Sequence, residues 1–122
     1  MQNDKEKFKN DFIKRLVKFS LDTISFCNGF DNKTCFRIIM DQLIRSATSI
    51  GANVVEAKSS SSRRDYIKFF EYALKSANET KYWLFLAGEA GADKKRADEL
   101  LAEANEISKI IGSSVLTLKG KK

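Results

Sequence analysis

The side chains best suited to chemistry in this chain are basic, and they fall into three clusters. The clusters are Lys14, Arg15 and Lys18; Lys58, Arg63 and Arg64, which flank a run of four serines; and Lys94, Lys95 and Arg96. Phosphate binding requires clustered lysines and arginines on an exposed face, and such contacts do not read the base sequence. The clusters therefore predict contacts with RNA or DNA, although a solvated lysine-rich surface would carry the same residues. No aromatic stacking motif typical of a nucleic-acid-binding module accompanies them.

Catalytic and metal chemistry is restricted by the absence of histidine. The chain has no histidine and only two cysteines, Cys27 and Cys35. Without an imidazole there is no Ser–His or Cys–His nucleophile and no histidine-containing zinc site, and two thiolates cannot complete a four-cysteine site. We therefore expect no enzymatic activity, no metal and no cofactor. In a chain large enough to build its own core, the two thiols are predicted to be reduced packing residues rather than a disulfide.

Length and composition are those of one folded domain. The chain has 122 residues, of which 43% are hydrophobic and 31% charged, and we expect a single domain over residues 1–122. No apolar run approaches the ~18 residues that a membrane span needs, and the first residues are charged. These features predict a cytoplasmic protein with no membrane partner. The net charge of +6 permits attraction to nucleic acid without requiring it.

Hydrophobic periodicity predicts four helices, over residues of about 4–27, 33–58, 63–88 and 93–118. The chain contains no proline, which fits long uninterrupted helices. Asp31 or Asn32 is expected to cap the second helix, Ser62 with Asp65 to open the third, and Asp93 to cap the fourth. Short loops join antiparallel neighbours, so the pattern predicts an all-α fold, an antiparallel up-down-up-down four-helix bundle.

Three of the four helices carry more apolar surface than one bundle buries. The first has a second stripe that includes Ile13 and Val17, and the third has Tyr72, Trp83 and Leu86 roughly opposite its core stripe. The second contains no lysine between Thr34 and Ala57, and small residues such as Ser49 and Ala52 occupy its other face. We interpret these second faces as contacts of a homo-oligomer, the alternative being that long aromatic side chains wrap the edges of their own bundle.

Two segments of the sequence resemble a known family. They are QLIRSATSIGANVVEA, residues 42–57, and DYIKFFEYALKSANETKYWL, residues 65–84. They resemble the bacterial four-helix bundle proteins encoded by intervening sequences in 23S rRNA genes, to which the accessory variability protein of diversity-generating retroelements is related. The resemblance extends over about residues 8–118, with Ala57 where the family usually has glycine. It implies a subunit of a ring-like homo-oligomer, a homopentamer, with a basic surface or pore, and RNA, DNA or a reverse transcriptase as partners.

The resemblance also places the signature polar residues of the family. Matching positions are Gln42, Arg45, Ser49, Asn53 and Glu56, with Glu79 in the third helix. Arg45 could pair with Glu79 across two helices, and Asn53 and Glu56 could hold the turn into the serine run. Direct contact with a ligand is the alternative for all of them.

These observations favour a non-enzymatic oligomeric scaffold that binds RNA or DNA through its basic patches. The alternative is a protein–protein adaptor with no nucleic-acid role, which would use Tyr72, Trp83 and Leu86 to hold a different protein.

Overall fold

The computed structural model describes residues 3–30 and 33–120, and this part of the chain consists of four α-helices joined by short loops. The helices are α1 (Asp4–Asn28), α2 (Thr34–Ser59), α3 (Arg63–Glu89) and α4 (Lys94–Leu118). Each begins and ends within one residue of the segment that periodicity predicts. The two described segments contain no strand, so the all-α prediction is confirmed.

Helix starts follow local capping chemistry. The side chain of Ser62 accepts a hydrogen bond from the backbone N–H of Asp65, and Asp93 accepts one from Arg96. Asn3 caps α1 in the same way by accepting from Glu6. The expected caps of α2, Asp31 and Asn32, lie outside the described residues. The N-cap position of α2 is Lys33, whose side chain makes no capping hydrogen bond.

Each helix packs against its neighbours in the chain, and α1 also contacts α4, which closes the four-helix bundle. Cross-helix pairs run in opposite directions, as in the pairs of Ser46 with Thr80 and Ser49 with Ser76, so α2 and α3 are antiparallel. Packing is most extensive between α2 and α3 and between α3 and α4, and least between α1 and α4. The bundle is therefore tight on one side and open along the groove between its first and last helices.

The close approach of α2 and α3 follows from the small residues at their contact. Ala47, Ala57, Ala73 and Ala77 are buried there or in the adjacent core. Thr80 donates a hydrogen bond to the carbonyl oxygen of Ser76, and its hydroxyl lies 3.0 Å from that of buried Ser46. Every buried side-chain polar atom among the described residues has a hydrogen-bond partner. Small hydroxyl residues thus let two helices pack closely without leaving a buried polar group unsatisfied.

Ser49, which was predicted as an oligomer-contact residue, takes part in this contact within the subunit. Ser49 lies in the seam between α2 and α3, where its hydroxyl accepts hydrogen bonds from Ser76 and Asn53, both at 3.1 Å. Periodicity separates a buried face from an exposed one, but it does not say which neighbouring helix covers the flank of a stripe. Ala52, one helical turn away, is exposed.

None of the four described helices is apolar enough over sufficient length to span a membrane.

Candidate nucleic-acid interface

The three basic clusters differ in how far carboxylates neutralise them. In the α1 cluster, Arg15 donates two hydrogen bonds to Glu103 of α4, from Nε to Oε2 and from Nη2 to Oε1, each at 2.7 Å. Lys18 donates to Asp22 at 2.7 Å, while Lys14 is exposed. The hydrogen bond with Glu103 raises the pKa of Arg15, and the one with Asp22 raises the pKa of Lys18. Two of these three cations are therefore already paired.

In the cluster at the start of α4, one cation of the three is paired with carboxylates. Lys94 lies 3.4 Å from a carboxylate oxygen of Glu89 and 3.6 Å from one of Asp98, and Asp98 with Glu89 raises its pKa. Lys95 and Arg96 are exposed. Arg96 and Lys18 meet across the groove between α1 and α4, where they line a cleft of about 460 Å³ with three carboxylates. Those carboxylates are Asp22, Glu99 and Glu103. A surface of mixed sign attracts a phosphate only weakly.

The cluster around the serine loop, residues 59–62, is different because its partners are neutral. Lys58 donates to the side-chain oxygen of Asn10 at 2.6 Å, and Arg63 donates to the backbone carbonyl oxygen of Leu118. Arg64 is exposed. In the described segments, none of these three cations forms an ion pair with a carboxylate. Their positive charge is thus available to an anionic ligand.

A cleft of about 580 Å³ opens beside this cluster, between the start of α1, the serine loop and the end of α4. Two further cations line it, Lys5 and Lys9 of α1. No Asp or Glu is among the described side chains that form its walls. The structure therefore gathers four lining cations, Lys5, Lys9, Lys58 and Arg63, around one concavity.

Sequence reasoning missed Lys5 and Lys9, although a signal for them exists. Lys5, Phe8, Lys9 and Phe12 stand at i, i+3, i+4 and i+7, which is one stripe of a helix. The two aromatic residues of this stripe differ in burial, because the side chain of Phe8 is 59% exposed while Phe12 is buried. What periodicity could not reveal is that this stripe faces the serine loop, since that depends on the packing of helices distant in sequence.

Aromatic rings form the apolar part of the cleft. Phe8 and Phe12 stack with ring centroids 6.4 Å apart, and Tyr66 and Phe70 of α3 stack at 5.0 Å. The ammonium of Lys9 lies 5.1 Å from the centre of the Tyr66 ring, within cation–π range. Two aromatic pairs from different helices are therefore brought beside the basic cluster.

Only some of the predicted oligomer-contact residues are exposed on the surface of the bundle. Ile13 and Trp83 are half-buried and pack against the core, and Leu86 is also half-buried. Val17 and Tyr72 are exposed. Besides Phe8, the other exposed large apolar side chains are Leu21, Ile38, Val55, Tyr82, Phe85 and Leu116. The bundle thus covers part of the surplus apolar surface itself and leaves the rest open.

The family-signature polar residues make local rather than cross-helix contacts. Arg45 and Glu79 are both exposed and do not pair; Glu79 instead accepts a hydrogen bond from Trp83 Nε1 at 2.9 Å. Asn53 donates to the Ser49 carbonyl oxygen at 2.9 Å, so it holds α2 rather than the turn. Glu56 is exposed and Gln42 half-buried. Pairing of Arg45 with Glu79 and turn contacts by Asn53 are therefore corrected.

The turn into the serine loop is formed by backbone and serine groups. The carbonyl oxygen of Ala57 accepts from the backbone N–H of Ser60 at 3.1 Å and from its hydroxyl at 2.6 Å. The side chain of Ala57 is completely buried. The last turn of α2 is thus formed with alanine, and not glycine, at this position.

The cysteines differ in environment. Cys27 is buried and Cys35 exposed, and both are free thiols. Burial raises the pKa of the Cys27 thiol to about 12, so it is not a nucleophile at neutral pH. Within residues 3–30 and 33–120, no group of three Cys, Asp or Glu side chains is placed to hold a metal ion.

A four-helix bundle with a basic cleft at one end is the class of protein that this geometry defines. The chain belongs to the family of 23S rRNA-intervening sequence proteins, whose family model matches residues 9–113. The membership predicted from residues 42–57 and 65–84 is thereby confirmed.

A solved structure supports the same fold. It is the crystal structure of a protein of unknown function from the S23 ribosomal protein family from Bacteroides thetaiotaomicron. The two structures superpose with a TM-score of 0.80 at 30% sequence identity, and the match covers 88% of this chain and 96% of that one. No curated protein matches the chain.

Proposed function

We propose that this chain is a non-enzymatic, oligomeric helical scaffold that binds RNA or DNA through the basic end of the bundle. The observation that carries the proposal is the charge state of the serine-loop cluster. Lys58 and Arg63 have only neutral partners, and the cleft beside them adds Lys5 and Lys9. Phosphates neutralise such cations and release counterions, which gives sequence-independent affinity.

Self-association would strengthen a weak patch on one subunit. Copies of the basic end held in one assembly act together, and the second contact profits from the high effective concentration set by the first. This supports an oligomeric scaffold over a monomeric binder, because four cations alone give modest affinity at physiological salt.

The outer face of α2 and α3 is the surface best suited to self-association. Ile38, Arg45 and Ala52 of α2 recur every seven residues and are exposed. Tyr72, Glu79 and Leu86 recur at the same interval on α3. Given the register of the Ser49–Ser76 contact, the two rows run side by side in opposite directions. Seven-residue spacing is the pattern by which a helix packs against another helix in a seam.

Binding assays with matched charge-removal variants test the nucleic-acid role. One variant replaces Lys58, Arg63 and Arg64 with alanine, and the control replaces Lys94, Lys95 and Arg96. Both lose three positive charges, but only the first removes cations that line the cleft beside the serine loop. We expect the first to weaken binding to short labelled RNA and DNA about tenfold or more, and the control to have a smaller effect.

Salt dependence completes this test. Affinity of the unaltered protein should fall steeply between about 50 and 200 mM salt, because each phosphate contact releases counterions. Equal loss in the two triple variants would show that only total charge matters. Absence of binding at the lower salt concentration, or affinity that does not change with salt, would refute the nucleic-acid role. Circular dichroism of each variant checks that the helices persist.

The adaptor function is the second candidate, and exposed aromatic side chains outside the seven-residue rows favour it. Tyr82 and Phe85 of α3 are both exposed, and the Tyr82 ring packs edge-on against Trp83 with centroids 5.0 Å apart. Exposed aromatic residues of this kind are enriched at protein–protein contacts. A reverse transcriptase is the partner that the family resemblance implies for such an adaptor.

A further inference from the structure

The cleft beside the serine loop joins positive charge to an accessible aromatic ring. Its mouth carries Phe8, whose side chain is 59% exposed although its neighbour on the same stripe, Phe12, is buried. The rings of these residues are nearly parallel, at 13°, so Phe12 supports Phe8 from the side of the core. A concavity with a few convergent charged groups and an aromatic wall is the usual form of a small-ligand site.

We propose that this cleft binds one unpaired nucleotide of single-stranded RNA or DNA, with the base against Phe8 and the flanking phosphates held by Lys5, Lys9, Lys58 and Arg63. The inference rests on the proposed nucleic-acid function. It adds the place on the bundle at which the strand binds and the requirement that the strand be unpaired.

The phosphate part of the site follows from the partners of its cations. Lys9 rests on the ring of Tyr66, Lys58 on the amide of Asn10, and Arg63 on the carbonyl oxygen of Leu118. All three partners are uncharged, so exchanging them for a phosphate sacrifices no ion pair and gains a charge-assisted hydrogen bond. The N-terminus of α3 also opens here, because Ser62 and Arg63 line the cleft, and its helix dipole adds partial positive charge.

The base part of the site follows from the shape and chemistry of its walls. A flat ring can stack on Phe8 only if it has left its own stack, which is readily available in a single strand and costly in a duplex. Hydroxyl groups of Ser61, Ser114 and Thr117 line the same cleft and offer hydrogen bonds to a sugar or to base edges. Stacking of successive bases on aromatic side chains beside a basic groove is the general mode of single-strand binding without sequence preference.

Removing the exposed ring tests the inference. The change is Phe8→Ala, and the matched control is Phe85→Ala, because Phe85 is 57% exposed on α3 and lies outside the cleft. Fluorescence anisotropy measures binding of a labelled single-stranded oligothymidylate and of a labelled duplex of the same length. Phe8→Ala should weaken single-strand binding by about 5- to 150-fold and leave duplex binding unchanged. Phe85→Ala should alter neither.

The possible results separate this inference from the proposed function. If Phe8→Ala binds the single strand normally while the variant lacking Lys58, Arg63 and Arg64 binds it weakly, the stacking site is refuted and the basic scaffold stands. If neither probe binds the unaltered protein at low salt, both proposals fail. If Phe8→Ala changes the mass of the assembly instead of its affinity, the cleft is a contact between subunits, which also overturns the inference.

Photo-crosslinking gives a second measurement that does not depend on the folding of a variant. A single strand that carries 5-iodouridine is irradiated with the unaltered protein, and the crosslinked peptide is identified by mass spectrometry. A base stacked on Phe8 should crosslink to the peptide that contains Phe8 or Tyr66. Crosslinks confined to peptides around Lys94, Lys95 and Arg96 would place the strand at the other end of the bundle and overturn the inference.

Discussion

At the scale of single residues, the partner of a charged group decides what the group can do. Arg15 and Lys58 are both basic residues on helix surfaces, yet Arg15 is held by the carboxylate of Glu103 and Lys58 by a neutral amide. A phosphate that approached Arg15 would have to compete with an existing ion pair. The same reasoning distinguishes the two thiols, because the environment of a cysteine sets its fraction of thiolate.

Alkylation tests the assignment of the two thiols. At neutral pH in the folded protein, iodoacetamide should modify exposed Cys35 and spare Cys27, whose buried thiol has its pKa raised to about 12. Peptide mass spectrometry measures the extent at each site, and the urea-unfolded protein, in which both should react, is the control. Equal modification of the two in the folded protein would contradict the burial of Cys27.

The raised pKa also has a consequence for stability. Between the ordinary thiol value near 9.0 and about 12, the folded protein keeps the Cys27 proton and the unfolded chain releases it. The unfolded state therefore binds fewer protons, so this group lowers the free energy of unfolding as pH rises through that window.

At the scale of helices, the small residues of α2 set how closely it approaches α3. Ser46 and Ser49 lie opposite Thr80 and Ser76, and the hydroxyl groups of each pair are within about 3 Å. The groove between α1 and α4 is packed less closely, and the Arg15–Glu103 pair crosses it beside the cleft that Glu103 lines. The tight seam thus follows from the small size of the side chains that face each other across it.

Overpacking the seam should destabilise the bundle. Ser46→Leu places a large side chain where the Thr80 hydroxyl is 3.0 Å away, so α2 and α3 must separate. We expect the free energy of unfolding to fall by about 1–3 kcal/mol. Ser25→Leu on the exposed face of α1 is the control and should change it by less than about 0.5 kcal/mol. Urea denaturation measures both, and equal effects would mean that the seam is not close-packed in solution.

At the scale of the whole molecule, the basic cleft and the seven-residue rows lie on different parts of the bundle. The four cations that line the cleft lie at one end, around the serine loop, whereas the seven-residue rows run along the sides of α2 and α3. Subunits that associate through their sides would therefore leave their basic ends accessible. This separation is what a scaffold for a long polyanion requires, because assembly and binding then do not compete for surface.

Oligomer mass tests the side surface. Tyr72→Glu puts a charge at a position that is 44% exposed in one of the rows, and Leu116→Glu does the same on α4 at a position that is 46% exposed. Light scattering should show a multimeric unaltered protein, a reduced mass for Tyr72→Glu and no change for Leu116→Glu, because burial of an unpaired charge at an interface is costly. If the unaltered protein is strictly monomeric, the oligomeric scaffold is refuted.

Much of the fold was predictable because its signals are local. Helix positions follow from contacts three and four residues apart, and the Ser62 cap from a contact within three residues. The absence of histidine excludes imidazole chemistry whatever the fold. These features depend on residue identity and on contacts between residues close in sequence, and both can be read from the sequence.

The tertiary structure alone decided which cations are free and which small residues face a neighbour. Lys5 and Lys9 meet Lys58 and Arg63 only because α1, the serine loop and α4 converge at one end of the bundle. Ser49 faces Ser76 of α3 because of the register between α2 and α3. Register is set by the packing of whole helix faces, a sum over many distant pairs. No short spacing in the chain encodes it, and the site therefore becomes visible only once the helices are assembled.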